Sequence, residues 1–286
     1  MELHDLVQHL NVEQIDKYLF RGVTPDTDGW RKRVYGGQVL AQAINSALRT
    51  VESDRRVHSL HAYFLRPGDP TLPIIYDVDP IRDGNSFTTR RVVAIQKGKA
   101  IFNSSMSFQV IEKGMEHQFD MPEIKGPDEL ISDEEYIIEL AKSHPKLVTP
   151  AMKKVQPIEI RRLLHIDPIS PDKYPPVTGL WMRSKESLGD NPITHQTMLA
   201  YLSDYYFMGT ALLPHGISFY NRKFQGASLD HVLYFHEQLR ADEWLYYHMD
   251  SPVAAGGRGL NRGSIYSKDG RLVASSFQEG LMRLHP

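Results

Sequence analysis

The sequence predicts an α+β fold in which one unit is written twice in a single chain, each unit an antiparallel sheet wrapped around a central helix. Three observations carry this. Residues His58 to Ser104 can be laid on Asp230 to Ser276 without a gap, at an offset of 172. A helical stretch free of acidic and basic side chains apart from Asp204 precedes the strands of each copy: Gly36 to Leu48 in the first, Gln196 to Pro214 in the second. Strand-like runs and turn signals then follow in the same order.

In the first copy the helix GGQVLAQAINSAL leads into strand-like runs at Val57 to Leu65, Leu72 to Val78, Ser86 to Ile95 and Ala100 to Val110. Pro67-Gly68, Asp83-Gly84-Asn85 and Lys97-Gly98-Lys99 mark the turns between them. In the second copy the strands are expected at Ile217 to Tyr220, Leu229 to His236, Trp244 to Met249, Gly259 to Tyr266 and Leu272 to Gly280. Across the offset Gly84 meets Gly256, Arg90 meets Arg262, Gly98 meets Gly270 and Ser104 meets Ser276. Identities are few, and it is the spacing of strands and turns that repeats.

The expected division is therefore a first unit over 1–110, a linker over 111–156 and a second unit over 157–286. The linker is charged and carries Pro122, Pro127, Pro145 and Pro150. One short amphipathic helix is expected at Ser132 to Ala141, with Ser132 as cap and Glu135 closing a capping box. Its acidic residues read as a solvated face.

Composition narrows the function. A formal net charge of -2 over 286 residues gives no electrostatic case for nucleic acid or for an anionic membrane. With no cysteine, disulfides, thiol nucleophiles and cysteine zinc sites are excluded. The acidic N-terminus lacks the apolar core of a secretory signal, so the cytoplasm is the expected compartment.

Asp204 is the only charged side chain between His195 and His215. Met198, Leu199, Leu202, Tyr205, Tyr206, Gly209, Leu212 and Leu213 recur at helical spacing, and apolar residues fill most of the opposite side. Pro192 and Thr194 mark the start of the helix, Pro214 and Gly216 its stop. A carboxylate inside such a helix costs several kcal/mol unless it is partnered, which makes Asp204 the first functional candidate.

Other chemistries find little support. There is no G-x-S-x-G nucleophile elbow and no H-E-x-x-H. The string from Gly256 to Gly263 departs from phosphate-binding spacings and reads as a hairpin entry. Neither a metal site nor a bound cofactor is expected. Ser228, opening a strand, and Gln278, closing one, are polar groups on strands expected to face the helices.

The strings VYGGQVLAQA (34–43), VHSLHAYFLRPGD (57–69), PIIYDVDPIRDGNSFTTRRVVAIQKGKAIFNSSMSFQ (73–109) and LVASSFQEGLMR (272–283) together resemble the acyl-CoA thioesterase II (TesB-type) family. The resemblance runs over nearly the whole chain and is weakest in the linker. It implies a double hotdog and hydrolysis of fatty acyl-CoA thioesters to free fatty acid and CoA, with no cofactor, CoA being part of the substrate. It also implies a catalytic group of Asp204, Ser228 and Gln278 that holds and activates a water, and an oligomer, a dimer or tetramer of double hotdogs. Where relatives often carry threonine this chain has Ser228, which keeps the hydroxyl but loses the methyl that fixes its rotamer. His58 lies in a motif linked to activity in relatives, and a structural role for it is equally open. Gly36-Gly37, at a helix start, is the candidate oxyanion donor. Two alternatives remain: hydration of an enoyl-CoA, which needs an aspartate and histidine pair, and non-catalytic binding of acyl-CoA.

Overall fold

One strand from each repeated unit meets its counterpart at the centre of the molecule. The computed structural model describes residues 2–25, 33–154 and 156–285. The first half runs α1 (Leu3–Leu10), β1 (Glu13–Asp16), β2 (Leu19–Gly22), α2 (Gly36–Leu48), β3 (Arg55–Phe64), β4 (Ile74–Asp83), β5 (Phe87–Gln96) and β6 (Lys99–Val110). After the linker helix α3 (Asp133–Ser143) come β7 (Ile158–Arg162), β8 (Val177–Ser184), α4 (Pro192–Leu202), β9 (Phe224–Ser228), β10 (Asp230–Phe235), β11 (Leu245–Ala255), β12 (Arg258–Ser267) and β13 (Leu272–Leu284).

The strands form one continuous sheet in the order β1-β2-β4-β5-β6-β3-β10-β13-β12-β11-β8-β7, with β9 paired to β13. The order reads as a mirror about the β3–β10 seam. At the seam the two central strands pair antiparallel, Leu60 with Leu233 and His61 with Val232. The halves are thus related by a two-fold axis, and the repeat is a double hotdog, an α+β fold.

The two central helices explain why their sequences lack charge. Every residue of α2 from Gly37 to Leu48 is buried, as is every residue of α4 from His195 to Leu202. Polar side chains on α2 are used as ties: Gln42 donates to the carbonyl oxygens of His9 and Val23 and accepts from the Tyr76 hydroxyl at 2.7 Å. A buried amide with all its partners satisfied fixes α1 and the strand end against the helix.

The structure corrects three expectations. The segment Ile217 to Tyr220 is a turn, and the additional strand is β9. The short or peripheral strands β1, β2, β7 and β8 were not anticipated. The acidic linker residues are not merely solvated: the predicted capping box at Ser132 and Glu135 forms, but Asp133 pairs with Arg162 at 2.7 Å and Glu134 with Lys185 at 2.6 Å. Met121, Ile124 and Leu130 of the linker also cover a second apolar cluster of Trp181, Trp244, Tyr246 and Tyr266. The hairpin reading of the glycine-rich string holds, since Gly256 and Gly257 form its turn with φ of 58° and 73°.

Candidate active site

The long helix expected through Pro214 is instead broken at Asp204. Asn191 caps the start of α4, its side chain accepting from the Ile193 N–H, and Pro192 fills the first turn. At the other end the Tyr35 hydroxyl donates to the Tyr201 carbonyl at 3.0 Å and the Tyr247 hydroxyl to the Ser203 carbonyl at 2.9 Å. A continuing helix would need those carbonyls for the N–H groups of residues 205 and 207. The chain turns, Tyr206 takes a left-handed conformation with φ 57°, and a 3₁₀ helix follows over Phe207–His215.

Tyr206 is strained, since a bulky side chain in this region costs roughly 1–2 kcal/mol. Its hydroxyl donates to Asp133 at 2.5 Å, and its ring lies over the Arg162 guanidinium at 4.8 Å. The same guanidinium contacts the Tyr136 ring at 4.8 Å. The linker helix thereby holds the turn that carries Asp204.

Asp204 itself is partly buried and sits on the turn rather than inside a helix. Its Oδ2 accepts from the Gly37 N–H at 2.9 Å, and its Oδ1 accepts from Gln278 Nε2 at 2.8 Å. Two donors from opposite halves of the chain therefore grip one carboxylate. The positive end of the α2 dipole adds about 0.3–1 kcal/mol in favour of the negative charge. The close approach needs glycine: a Cβ on Gly36 would lie 2.7 Å from Asp204 Oδ2, and one on Gly37 would run into the Tyr201 carbonyl oxygen. The Gly37 N–H of the pair expected to supply an oxyanion donor is thus engaged with the carboxylate.

Gln278 is fully buried on the inward face of β13, and its second amide contact is to His231 Nδ1 at 3.1 Å. His231 Nε2 lies 3.0 Å from Ser203 Oγ, which in turn donates to the Ala200 carbonyl at 2.9 Å. Burial pushes the His231 imidazole down to about 3, so it is neutral. Gln278 Oε1 is buried and has no hydrogen-bond partner.

Ser228 stands opposite Gly280, two residues along β13 from Gln278, so the register sets both side chains on the inward face. Gly226 and Gly280 make room beneath them for the side chain of Met208, four residues past Asp204. Ser228 makes no direct hydrogen bond to Asp204 or Gln278. The structure thus joins two of the three expected residues directly and sets the third on the neighbouring strand. His58 pairs with Ser107 at 2.8 Å and lies edge-on to Phe87, not at Asp204. Among the described residues no three His, Asp or Glu side chains stand together as a metal site.

Comparison with known proteins places the chain in a family. A family model described as acyl-CoA thioesterase matches residues 172–281, and one described as acyl-CoA thioesterase N-terminal domain matches residues 25–109. Acyl-CoA thioesterase 2 of Haemophilus influenzae is 38% identical over 284 residues, covering 98% of each chain. The chain belongs to the acyl-CoA thioesterase II family. Among solved structures of this family, acyl-CoA thioesterase II TesB2 from Mycobacterium marinum superposes with a TM-score of 0.79 at 37% identity, covering 97% of this chain and 98% of that one. A hot dog fold protein from Alicyclobacillus acidocaldarius superposes with a TM-score of 0.78 at 17% identity, covering 99% of each chain, which speaks for the fold alone.

His231, Ser203, Tyr35 and Tyr247 were not singled out as site residues from the sequence. His231 leaves one trace there: it alternates with Leu233 and Phe235 on β10, which marks it as inward-facing.

Proposed function

We propose that this chain hydrolyses fatty acyl-CoA thioesters to free fatty acid and CoA, and that Asp204, Ser228 and Gln278 do so by activating a water. The supporting observation is the Asp204 carboxylate, oriented by Gly37 on one oxygen and Gln278 on the other. A thioester carbonyl is already electrophilic, so an oriented water and a base suffice. The water oxygen attacks the carbonyl carbon as Asp204 takes its proton. The tetrahedral intermediate then collapses, the C–S bond breaks, and the departing thiolate receives the proton from Asp204. Ser228 holds the water from the neighbouring strand, and Gln278 acts on it through the carboxylate that its amide orients.

A cavity of about 900 Å³ beside Tyr205 and Tyr206 is the place proposed for the acyl chain. Leu6, Leu10, Ile137 and Ile158 give it apolar walls, contributed by α1, the linker helix and β7. We further propose that the units divide at 1–110, 111–156 and 157–286, that the chain works in the cytoplasm, and that it assembles as a dimer or tetramer of double hotdogs. Among the described residues no helix is long and apolar enough to cross a membrane. Hydration of an enoyl-CoA is disfavoured, because His231, the histidine that the hydrogen bonds join to Gln278, is fully buried behind it and cannot reach a substrate.

Free-thiol release across acyl-CoA chain lengths is the test. Wild-type protein should release thiol, and Asp204→Asn should lose activity by about 10²–10⁴-fold with an unchanged thermal melt. Wild-type turnover by Asp204→Asn would overturn the mechanism. Binding without thiol release would leave an acyl-CoA binding protein, and an acyl adduct on Ser228 by intact mass would replace the water with a serine nucleophile.

A further inference from the structure

The chain of hydrogen bonds behind Gln278 has one direction only. At one end the Ala200 carbonyl can only accept, so the Ser203 hydroxyl donates to it at 2.9 Å. Ser203 Oγ must then accept from His231, which places the imidazole proton on Nε2 and the lone pair on Nδ1. At the other end an ionised Asp204 can only accept, so the group facing Oδ1 at 2.8 Å must be the amide nitrogen of Gln278. That nitrogen also faces His231 Nδ1 at 3.1 Å and can donate its second hydrogen there. Both ends demand the same tautomer and the same amide orientation.

We propose that His231 is a positioning residue for thioester hydrolysis, its neutral Nδ1 fixing the Gln278 amide so that nitrogen faces Asp204 and the amide oxygen faces away. This rests on the assignment of Asp204 and Gln278 to the reaction. Without an acceptor at Nδ1 the amide can turn over, which would set Oε1 against a carboxylate oxygen and lose the hydrogen bond that orients the base. The imidazole is fully buried and contacts the edge of Phe207, with ring centroids 5.9 Å apart, so it works through Gln278 and does not touch substrate.

The two-fold axis separates this role from a role in folding. By the β10–β13 register His231 stands opposite Gln278, and the opposed pair at the same place in the first half is Leu60 and Met106, on β3 and β6. The first half pairs those strands and closes its core with neither an imidazole nor an amide at these positions. The pair is a property of the half that supplies Asp204.

The experiment is a set of variants in the full-length protein, read by thiol release. His231→Phe should lower kcat about 10- to 100-fold with KM within about two-fold, the scale expected when a partner that orients a functional side chain is lost. His231→Asn, whose side-chain oxygen can accept where Nδ1 does, should recover most of kcat. In a Gln278→Ala background His231→Phe should cost no further kcat, since the imidazole acts only through that amide. Additive losses, or wild-type kcat in His231→Phe while Asp204→Asn and Gln278→Ala are impaired, would overturn the proposal. Wild-type activity in Gln278→Ala or Asp204→Asn would instead overturn the underlying assignment. If the phenylalanine variant does not fold, nitrogen NMR of the wild-type imidazole decides: Nε2-protonated and constant between about pH 5 and 8 is expected, and an Nδ1-protonated or titrating ring would refute it.

Discussion

The Tyr247 hydroxyl reaches across 44 residues to donate to the Ser203 carbonyl at 2.9 Å, immediately before Asp204. It also bonds Ser276 at 2.7 Å on β13, so one phenol ties the end of α4 to the strand that carries Gln278. Tyr247→Phe should cost about 0.5–1.5 kcal/mol of stability, the usual worth of such a bond. It should also lower kcat several-fold by loosening the turn. Urea melts paired with thiol release check both, and an unchanged kcat would show that the turn is held elsewhere.

Gly36→Ala separates stability from activity. Alanine is the better helix residue by about 1 kcal/mol, yet its Cβ would lie 2.7 Å from Asp204 Oδ2 and 3.1 Å from the Phe64 ring. The carboxylate is the softer neighbour and should swing off the Gly37 N–H. The expected outcome is a thermal midpoint within a few degrees of wild type and kcat reduced at least about ten-fold.

Stability should fall with acid in a window set by histidine. The folded state holds His231 at about 3 through burial, against 6.5 for an ordinary imidazole. The unfolded chain therefore binds the proton first, and stability that is complete above about pH 6.5 is lost as the pH falls toward 3. His165, lowered to about 4 by burial and the Arg162 charge, acts in the same direction. Carboxylates held low by arginine, such as Glu159, contribute only below their own ordinary range, and Asp230, raised by burial, acts in the opposite sense, so the share of His231 between about pH 7 and about pH 5 is read from its variant. Denaturant titrations should show His231→Asn losing less than wild type over this interval. Equal losses would mean that His231 does not carry the effect.

Ile137→Trp should narrow the cavity beside Tyr205 from the linker side. Activity on long acyl chains should fall about ten-fold or more while short acyl chains are hydrolysed near the wild-type rate. Uniform loss over all chain lengths would place the acyl chain elsewhere.

Much of the fold was legible because its signals are local. The uncharged run from Gly36 to Leu48 is α2 with the same boundaries, and Ser132 with Glu135 caps α3 as their spacing requires. The break at Asp204 was not legible, because hydropathy continues through it. What stops the helix is a pair of hydroxyls, Tyr35 and Tyr247, that are remote in sequence and brought close only by the fold. The apolar residues of Ile217 to Tyr220 imitate a strand but line a small cavity of about 250 Å³. At the site, Asp204 stood out because an isolated charge in an apolar run demands partners. His231 did not, since a single histidine on an alternating strand is indistinguishable from an ordinary core residue until its neighbours are known.

Fusion of the two units changes what a single substitution can do. In a symmetric pair of separate chains, any change at the glutamine position would appear twice, once in each half. Here Met106 and Gln278 occupy related places yet vary independently. Outside α1 and Tyr35, one half can serve as scaffold while the other supplies the strand-borne amide. The helix start Gly36-Gly37 is the exception, since the scaffold half lends its backbone to the carboxylate of the other. Separating the halves would therefore leave the Asp204 carboxylate without one of its two donors.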